Sequence, residues 1–329
     1  MSVELAHGYT HPAVAEFAAV LDGDEFRTEL ERLSRDWGWG APQETRAEAK
    51  KAHKGRCTFE LTVRTASGWH AVIAKVHSVE RSDQFHLIEA LGRAGFGPDD
   101  VFSMPRPLAY LSSLHILMEE KVPGSAAKDV FLNRPRDEHP AAADRCGEWL
   151  ARFHAAAPRL RPATDVVEEF PRFRRWVGQL APFGRALAPK SAELCRALEA
   201  AAPTTGTDHY RAAHGSYIPE HVLLGDGRTS TIDFDEYAVA DPAGDVAWFV
   251  MSLKRLALVQ LGNLHAFDTS VDRFLRAYRS AGPAGATAHL PFYTALQCLN
   301  RARRDVLKRK PPIPAWADLM LEEGFRALA

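Results

Sequence analysis

Residues 214–248 read HGSYIPEHVLLGDGRTSTIDFDEYAVADPAGDVAW, and this stretch decides the fold. Two short runs, 222–224 and 230–234, flank the turn sequence Asp226-Gly227. An Asp-Gly pair between two apolar runs is a strong signal for a β-hairpin. A polar loop precedes the hairpin, and carboxylates follow it. The stretch therefore predicts a small hairpin inside a half of the chain that otherwise has helical patterns.

Acidic residues cluster on the C-terminal side of this hairpin. Asp233 and Asp235 follow its second strand directly, and Asp241 and Asp245 open the next predicted helix. Mg²⁺ prefers oxygen ligands and is usually bound through one or two carboxylates together with water. The order of loop, hairpin and acids therefore favours a divalent-cation site, with Asp233 as its first candidate ligand. Each acid taken alone would be interpreted as an ordinary turn or helix-cap residue.

With these pieces in this order, the sequence resembles the aminoglycoside phosphotransferase and choline kinase superfamily, which has the two-lobed protein-kinase fold. The loop of that family reads His-Gly-Asp-x-x-x-x-Asn and is followed by a hairpin, by Ile-Asp-Phe/Trp and by Gly-Asp-Pro-x-x-Asp. The chain matches the hairpin, Ile-Asp-Phe-Asp at 232–235 and Asp-Pro-Ala-Gly-Asp at 241–245. Weaker matches lie upstream, with Ile-Ala-Lys at 73–75, Met-Glu-Glu-Lys-Val-Pro-Gly at 118–124 and Leu-Ala-Arg-Phe-His at 150–154.

The resemblance implies an α+β, protein-kinase-like fold in three parts. These are a helical extension over 1–40, a nucleotide-binding lobe with a small antiparallel sheet over 41–120, and a larger helical lobe over 121–329, with the nucleotide cleft between the lobes. It also implies ATP and Mg²⁺ as cofactors and a hydroxyl group as the phosphate acceptor, on a small molecule or on a peptide Ser or Thr. No short motif identifies the acceptor.

In the first lobe, Lys75 resembles the strand lysine that contacts the nucleotide phosphates. A charged group on an apolar strand is expected to reach a cleft rather than to be buried unpaired, although a lysine on an edge strand can also extend into solvent. The partner carboxylate of Lys75 stays open: Glu89, on the helix that follows, is preferred but could equally be a solvated helix residue, and Glu80 is nearer along the chain, in the loop. The resemblance places Met118, Glu119 and Lys121 in the hinge that lines the adenine.

Two positions in the loop depart from the family pattern. Ser216 replaces the aspartate that orients or deprotonates the acceptor hydroxyl, and His221 replaces the asparagine that ligates Mg²⁺. Serine cannot act as a general base near neutral pH unless another group activates it. Imidazole is a softer ligand than an amide oxygen and suits Mg²⁺ less well. The candidate metal ligands are therefore Asp233 and His221, and the candidate catalytic residues are His214, Ser216 and Asp235.

Three interpretations of this degenerate loop stay open. In the first, the protein is an atypical kinase, because a loose, metaphosphate-like transition state needs little help from a base. In the second, it is a pseudokinase or regulatory subunit that binds nucleotide or a protein partner without transferring phosphate. In the third, the pocket serves another chemistry, or the chain is the kinase half of a two-component system.

Elsewhere the periodicity of apolar residues predicts the elements of such a fold. Strict alternation over 56–65 and an apolar run over 70–76 predict an antiparallel hairpin, and a second strand pair is expected at 106–110 and 114–119. Helical spacing predicts helices in the first forty residues, over 82–93, and at the apolar stripe that begins at Cys146. Further helices are predicted over 165–180, 191–202, 241–261 and 271–280.

Composition limits the classes of partner and the cellular location. The 329 residues carry 41 Lys and Arg against 42 Asp and Glu, a net charge of -1, so neither a nucleic acid nor an anionic membrane is an expected partner. The four cysteines lie far apart and suggest neither a zinc site nor a disulfide framework. Since no run approaches the ~18 apolar residues of a membrane span and the first ten residues lack a signal-peptide pattern, a cytoplasmic location is expected.

Overall fold

The computed structural model describes residues 2–5, 13–53, 55–204 and 206–329. The chain divides into two compact units, Met1–Pro123 and Gly124–Ala329, hereafter the N-terminal and the C-terminal unit. The first is built on a sheet and the second is mainly helical. This organisation confirms the predicted α+β fold class with an antiparallel-sheet lobe and a helical lobe.

The N-terminal unit contains a six-stranded sheet in the order β1-β2-β3-β4-β7-β6, in which β1 lies parallel to β2 and the other pairs are antiparallel. Its elements, in chain order, are β1 (Ser2–Leu5), α1 (Ala13–Asp22), α2 (Asp24–Asp36), β2 (Glu44–His53), β3 (Arg56–Thr65), β4 (Gly68–His77), α3 (Ser82–Leu91), the short β5 (Phe102–Ser103), β6 (Pro107–Leu111) and β7 (Ile116–Glu120).

The core of this unit lies between one face of the sheet and the helices α1 and α2. The alternation predicted for β3 is confirmed, because Phe59 and Leu61 are fully buried while their neighbours are partly exposed. Leu21 and Phe26, from the two helices, are also fully buried in this cluster. Burial of such a side chain stabilises the fold by roughly 1.5–3 kcal/mol, so the helices bring their apolar stripes onto the sheet.

The expectation that residues 1–40 are helical is correct for α1 and α2 and wrong for β1, and its part over 6–12 lies outside the described residues. Residues 2–5 pair with β2, in the register Ser2 to Arg46. Strand β2 itself was not predicted, because ETRAEAKKAH is rich in charged residues and alanine and poor in β-branched residues. Its place between β1 and β3 makes it a strand, since strand formation depends more on neighbours than on intrinsic preference.

The C-terminal unit contains eight α-helices and five short strands in its described residues. In chain order they are β8 (Ser125–Ala126), α4 (Ala127–Asn133), α5 (His139–Ala156), α6 (Phe170–Leu180), α7 (Leu187–Ala200), β9 (Arg211–Ala213), β10 (Val222–Leu224), β11 (Thr229–Thr231), β12 (Ala238–Ala240), α8 (Ala243–Leu261), α9 (Asp268–Ala281), α10 (Leu290–Leu307) and α11 (Pro314–Leu328). Among the described residues no helix is long and apolar enough to cross a membrane.

The predicted hairpin is present as β10 and β11, paired antiparallel from Val222–Thr231 to Leu224–Thr229. Arg145 on α5 holds its turn, because its guanidinium donates to the carbonyl oxygen of Gly225 at 2.8 Å and to the hydroxyl oxygen of Thr229 at 3.1 Å. The apolar stripe of α5 is confirmed, and its largest member, Trp149, is fully buried. The helix thus supports the hairpin from beneath with both charged and apolar contacts.

Candidate functional site

The loop that begins at His214 is fixed to the start of α8 by one buried carboxylate. Asp245 accepts the backbone N–H of His214 at 2.6 Å through Oδ2 and that of Gly215 at 2.8 Å through Oδ1. His154 on α5 contacts the same Oδ2 through Nε2 at 3.1 Å, and its Nδ1 lies 2.7 Å from the hydroxyl of Tyr278. Burial alone would raise the pKa of Asp245, but the His154 hydrogen bond and charge hold it below its ordinary value. The carboxylate therefore stays ionised and keeps the loop in one conformation.

Glycine is required in this loop. Gly215 has φ +79°, and a Cβ there would clash with the backbone carbonyl of Glu236. Only a residue without a side chain combines a left-handed backbone with so close an approach. The loop is thus locked on one side by Asp245 and on the other by the segment that follows Asp233.

The imidazole of His214 has a defined tautomer. Its Nε2 lies 3.0 Å from the carbonyl oxygen of Ile232, which can only accept, so Nε2 carries the proton. Nδ1 is then the acceptor, and it faces the backbone N–H of Ser216 at 3.3 Å and the Ser216 hydroxyl at 3.4 Å. Burial lowers the pKa of His214 despite the nearby charge of Asp245. Ser216 is therefore next to a neutral ring nitrogen that can accept a proton.

The candidate metal ligands lie side by side. His221 Nε2 is 3.4 Å from Asp233 Oδ2, and the two side chains are 10% and 17% exposed. His221 Nδ1 lies 3.0 Å from the carbonyl oxygen of Ser216, so Nδ1 carries a proton, and in the neutral ring Nε2 has its lone pair towards Asp233. Asp233 has φ +70°, a left-handed conformation rare for residues other than glycine. Strained backbone of this kind persists only where the surrounding structure enforces it and is concentrated at functional sites.

These residues fit a divalent cation in part. The Asp233 carboxylate is a ligand type that Mg²⁺ accepts. The imidazole of His221 faces it with a lone pair, but it is a softer ligand that suits later transition metals better. Asp235, the third candidate in this segment, lies half-buried in the one-turn helix Phe234–Glu236 that Asp233 precedes. The donor set therefore fits a cation held mainly by Asp233, with His221 shifting the preference away from Mg²⁺.

In the N-terminal unit Lys75 forms an ion pair with Glu119 and not with Glu89, the partner that was preferred. Lys75 Nζ lies 2.9 Å from Glu119 Oε1, with the two side chains 7% and 4% exposed. Glu119 is on β7, where it faces Ile73, two residues from Lys75 on β4. Residues two apart on a strand share one face, so the carboxylate lies beside the ammonium group. Glu89 instead contacts His86 and Arg93, its neighbours one turn away along the chain.

The other two predicted hinge residues lie in different surroundings. Met118 is fully buried in the apolar cluster of the N-terminal unit, so its side chain belongs to the core. Lys121 is exposed, and its ammonium group lies 2.5 Å from Glu60 on β3. Any contact of Met118 with a nucleotide would therefore have to be made by its backbone.

The anchoring contact between Asp245 and His154 was not predicted from the sequence. The sequence does contain a sign of this role. Asp245, four residues after Asp241, lies in the first turn of α8, which is otherwise apolar. Only the fold shows that Asp245, His154 and the loop at residue 214 come together, because Asp245 lies 91 residues after His154 and 31 residues after His214.

The comparisons with known proteins identify the family and the fold. Residues 71–289 match the model of the phosphotransferase enzyme family known as APH, which is more than half of the chain. The chain belongs to this family. A comparison with curated proteins finds no significant match. The predicted resemblance to the aminoglycoside phosphotransferase and choline kinase superfamily is therefore confirmed at the level of the family.

Solved structures similar to this phosphotransferase-family chain share its fold. Spectinomycin phosphotransferase APH(9)-Ia, in complex with ADP and spectinomycin, is 13% identical with a TM-score of 0.61, over 91% of this chain and 98% of that one. A choline/ethanolamine kinase family protein from Mesorhizobium loti is 15% identical with a TM-score of 0.57, over 93% and 94%. The ternary complex of APH(2″)-IIa with streptomycin and ATP is 11% identical with a TM-score of 0.54, over 93% and 95%. The protein-kinase-like fold is thus confirmed.

Proposed function

We propose that this protein is an ATP-dependent, divalent-cation-dependent phosphotransferase that transfers the γ-phosphate to a hydroxyl group of a small molecule or of a peptide Ser or Thr. The single observation that carries the proposal is the left-handed backbone of Asp233, with its carboxylate 3.4 Å from the imidazole of His221. The resemblance implies a metal-binding aspartate in the segment after the hairpin, and Asp233 is at that position. The nucleotide complexes of similar structures support the choice of ATP.

The cation would be held by Asp233, with His221 as the second protein ligand. When bound, it neutralises charge on the nucleotide phosphates, which is the main requirement of phosphoryl transfer. Mg²⁺ is the expected physiological cation from the resemblance. Because one ligand atom is an imidazole nitrogen, we infer that Mn²⁺ or Co²⁺ also supports nucleotide binding.

For the nucleotide, the proposed contacts in the N-terminal unit are Lys75 and the hinge residues 118–121. Lys75 would contact the phosphates, and the buried carboxylate of Glu119 would hold its ammonium group in position. The role proposed for Glu119 is thus to orient Lys75 as well as to line the adenine site. Glu89, which contacts only neighbours on its own part of the chain, has no part in this proposal.

The loss of an aspartate at position 216 limits how the acceptor can be activated. The acceptor oxygen would bond to the γ-phosphorus while the bond to the leaving ADP oxygen breaks, and the hydroxyl proton must leave late. Ser216 can receive that proton while passing its own to Nδ1 of His214, 3.4 Å away. The lowered pKa of His214 makes it a weak base, which is compatible with a loose transition state. Asp235, half-buried two residues after Asp233, is the alternative proton acceptor.

Thermal unfolding with ATP, with and without Mg²⁺ or Mn²⁺, tests the binding part of the proposal. A ligand at a hundredfold excess over its dissociation constant stabilises the folded state by ~2.7 kcal/mol. Asp233→Asn should remove the cation-dependent part of the shift. Asp226→Asn, in the exposed turn of the same hairpin, is the matched control and should keep it, because Asn-Gly suits such a turn as well as Asp-Gly. Absence of any shift with nucleotide in the wild-type protein would refute the proposal.

The second candidate function is that of a pseudokinase, which binds nucleotide or a partner without phosphotransfer. The observation that favours it is the serine at position 216, where the family has an aspartate. Its nearest titratable group in the loop is a buried imidazole rather than a carboxylate. Ser216→Asp separates the two candidates. If ADP formation with candidate acceptors occurs in the wild type, the first is supported. If it occurs only in Ser216→Asp, while ATP still binds to the wild type, the protein is a pseudokinase.

A further inference from the structure

Three residues of the C-terminal unit, outside the segment 214–235, bring metal-ligating atoms together. His209, Asp241 and His289 each offer one such atom, and these atoms all lie within 4.8 Å of one another. Within the described part of the chain this is the one group of three His, Cys, Asp or Glu residues that meets this condition. The three residues come from separate segments, before β9, before α8 and before α10. The fold, and no local motif, assembles the group.

The carboxylate is the centre of the group. Asp241 is 2% exposed, and its Oδ1 accepts the backbone N–H of Ala243 at 2.9 Å. Its other oxygen, Oδ2, lies 3.1 Å from His209 Nε2 and 2.6 Å from His289 Nδ1. A single buried oxygen atom is therefore faced by two imidazole nitrogens.

The hydrogen bonds of His209 are compatible with a metal ion between Nε2 and the carboxylate of Asp241. His209 Nδ1 lies 2.8 Å from the carbonyl oxygen of Gly206, which can only accept, so Nδ1 carries a proton. In the neutral ring Nε2 then has its lone pair directed at the carboxylate oxygen of Asp241. Two acceptors that face each other need a proton or a metal ion between them. A histidine whose second nitrogen donates to a backbone carbonyl is the usual arrangement of a metal ligand.

One of the three separations between ligand atoms is close to that of a tetrahedral site, and all three are within 4.8 Å. With metal–ligand bonds of 2.0–2.1 Å, neighbouring ligand atoms of a zinc site lie about 3.3 Å apart. The separation between His209 Nε2 and Asp241 Oδ2 is already 3.1 Å. His289 Nδ1, now 2.6 Å from Asp241 Oδ2, would have to withdraw by about 0.7 Å to reach that separation, and its side chain is 24% exposed, which leaves it room to do so.

A cavity adjoins the two histidines. It has a volume of about 390 Å³, and His209, His289 and Arg211 are among its lining residues. The guanidinium of Arg211 donates to the backbone carbonyls of Asp208 and Tyr210, which fixes its orientation beside the cavity. Three protein ligands beside a cavity leave a coordination position for water or a small ligand, as in catalytic rather than structural zinc sites.

We propose that His209, Asp241 and His289 form a binding site for Zn²⁺ or a similar borderline transition-metal ion, with its fourth position open to the cavity. Two imidazoles and one carboxylate favour such an ion over Mg²⁺, which prefers oxygen ligands. The site shares no residue with the one proposed at Asp233, and it does not depend on nucleotide binding.

The experiment uses the full-length protein, stripped with a chelator and titrated with Zn²⁺ alone by calorimetry, with bound metal counted by elemental analysis. One Zn²⁺ per chain is expected, with affinity lowered in His209→Gln and His289→Gln by more than the ~10–100-fold that loss of an outer hydrogen-bond partner costs. His265→Gln is the matched control, because His265 forms an ordinary exposed pair with Asp268, Nδ1 to Oδ2 at 2.8 Å. It should bind Zn²⁺ like the wild type.

Replacing Zn²⁺ with Co²⁺ tests the coordination geometry of the site. Tetrahedral Co²⁺ gives intense visible absorption, which should appear in the wild type and in His265→Gln but not in His289→Gln. Circular dichroism and thermal unfolding of the metal-free variants show that they remain folded. Two results would overturn the proposal: the wild type binds no stoichiometric metal, or His209→Gln and His289→Gln bind Zn²⁺ as tightly as the wild type does. The three residues would then form a cluster of ion pairs that share protons.

Discussion

The carboxylate of Asp245 accepts the backbone N–H of His214 at 2.6 Å, and both residues are almost completely buried. A side chain in the first turn of α8 thereby positions a loop that lies 31 residues earlier in the chain. The same carboxylate binds Gly215 and His154, so one ionised group holds three donors. The geometry of Ser216 depends on this anchor, although Asp245 itself is not placed to contact a substrate.

Asp245→Ala should therefore destabilise the protein severely. It leaves the N–H groups of His214 and Gly215 and the ring of His154 without their acceptor, and each unsatisfied buried group costs about 1–3 kcal/mol. We expect a loss of at least about 3 kcal/mol in the free energy of unfolding, measured with urea. Asp208→Ala, at an exposed position of the same unit, is the control and should change it by less than about 0.5 kcal/mol. A small effect of Asp245→Ala would contradict the anchoring role.

Gly215→Ala should also be strongly destabilising, because the new Cβ meets the carbonyl of Glu236 as well as adopting φ +79°. Gly227 separates these two causes. It has φ +65°, and a Cβ added there would have nothing within 4 Å, so Gly227→Ala carries only the backbone cost of roughly 1–2 kcal/mol. We expect Gly215→Ala to exceed that cost clearly in urea unfolding. Equal losses for the two variants would mean that the contact with Glu236 relaxes freely.

His221→Asn should change the metal preference of nucleotide binding. The wild type presents an imidazole nitrogen to the cation, and the variant presents an amide oxygen, which is the harder ligand. We expect the ratio of ATP affinity with Mn²⁺ to that with Mg²⁺ to fall on the order of tenfold, the lower end of effects from groups that tune a metal site. His86→Asn, whose side chain is 72% exposed in the other unit, should leave the ratio unchanged. An unchanged ratio in His221→Asn would remove His221 from the metal site.

His77 should make the protein sensitive to mild acid. Burial, with the nearby charges of Arg81 and Arg56, lowers the pKa of His77 to about 3, from 6.5 for an exposed histidine. As the pH falls below 6.5 the unfolded chain takes up a proton that the folded protein refuses, so the free energy of unfolding decreases down to about pH 3. His77 alone cannot change the free energy of unfolding by more than about 1.4 kcal/mol per pH unit.

His77→Gln should flatten the pH dependence of the free energy of unfolding between pH 6 and 4. Urea unfolding at several pH values measures this dependence. His86→Gln is the control, because His86 is exposed. If the wild type and His77→Gln lose stability in parallel, another group is responsible for the acid sensitivity.

Much of the architecture was predictable because it is encoded locally. The alternation that buries Phe59 and Leu61 and the stripe around Trp149 are short patterns whose periods match a strand and a helix. The hairpin at Asp226-Gly227 follows from turn chemistry alone. Strand β2 and the parallel strand β1 escaped prediction because their conformation comes from their neighbours in the sheet.

The candidate site divides in the same way. The sequence by itself determined which chemistry is present: a serine in place of the aspartate, His221 in place of the asparagine, and Asp233 after a hairpin, since these are facts of order along the chain. Only the tertiary structure decided which groups meet. Glu119 rather than Glu89 is beside Lys75, and Asp241 is shared by two histidines 32 and 48 residues away. The reason is physical, because a side chain's partner depends on which faces of distant elements pack together, and no periodicity within one segment records that.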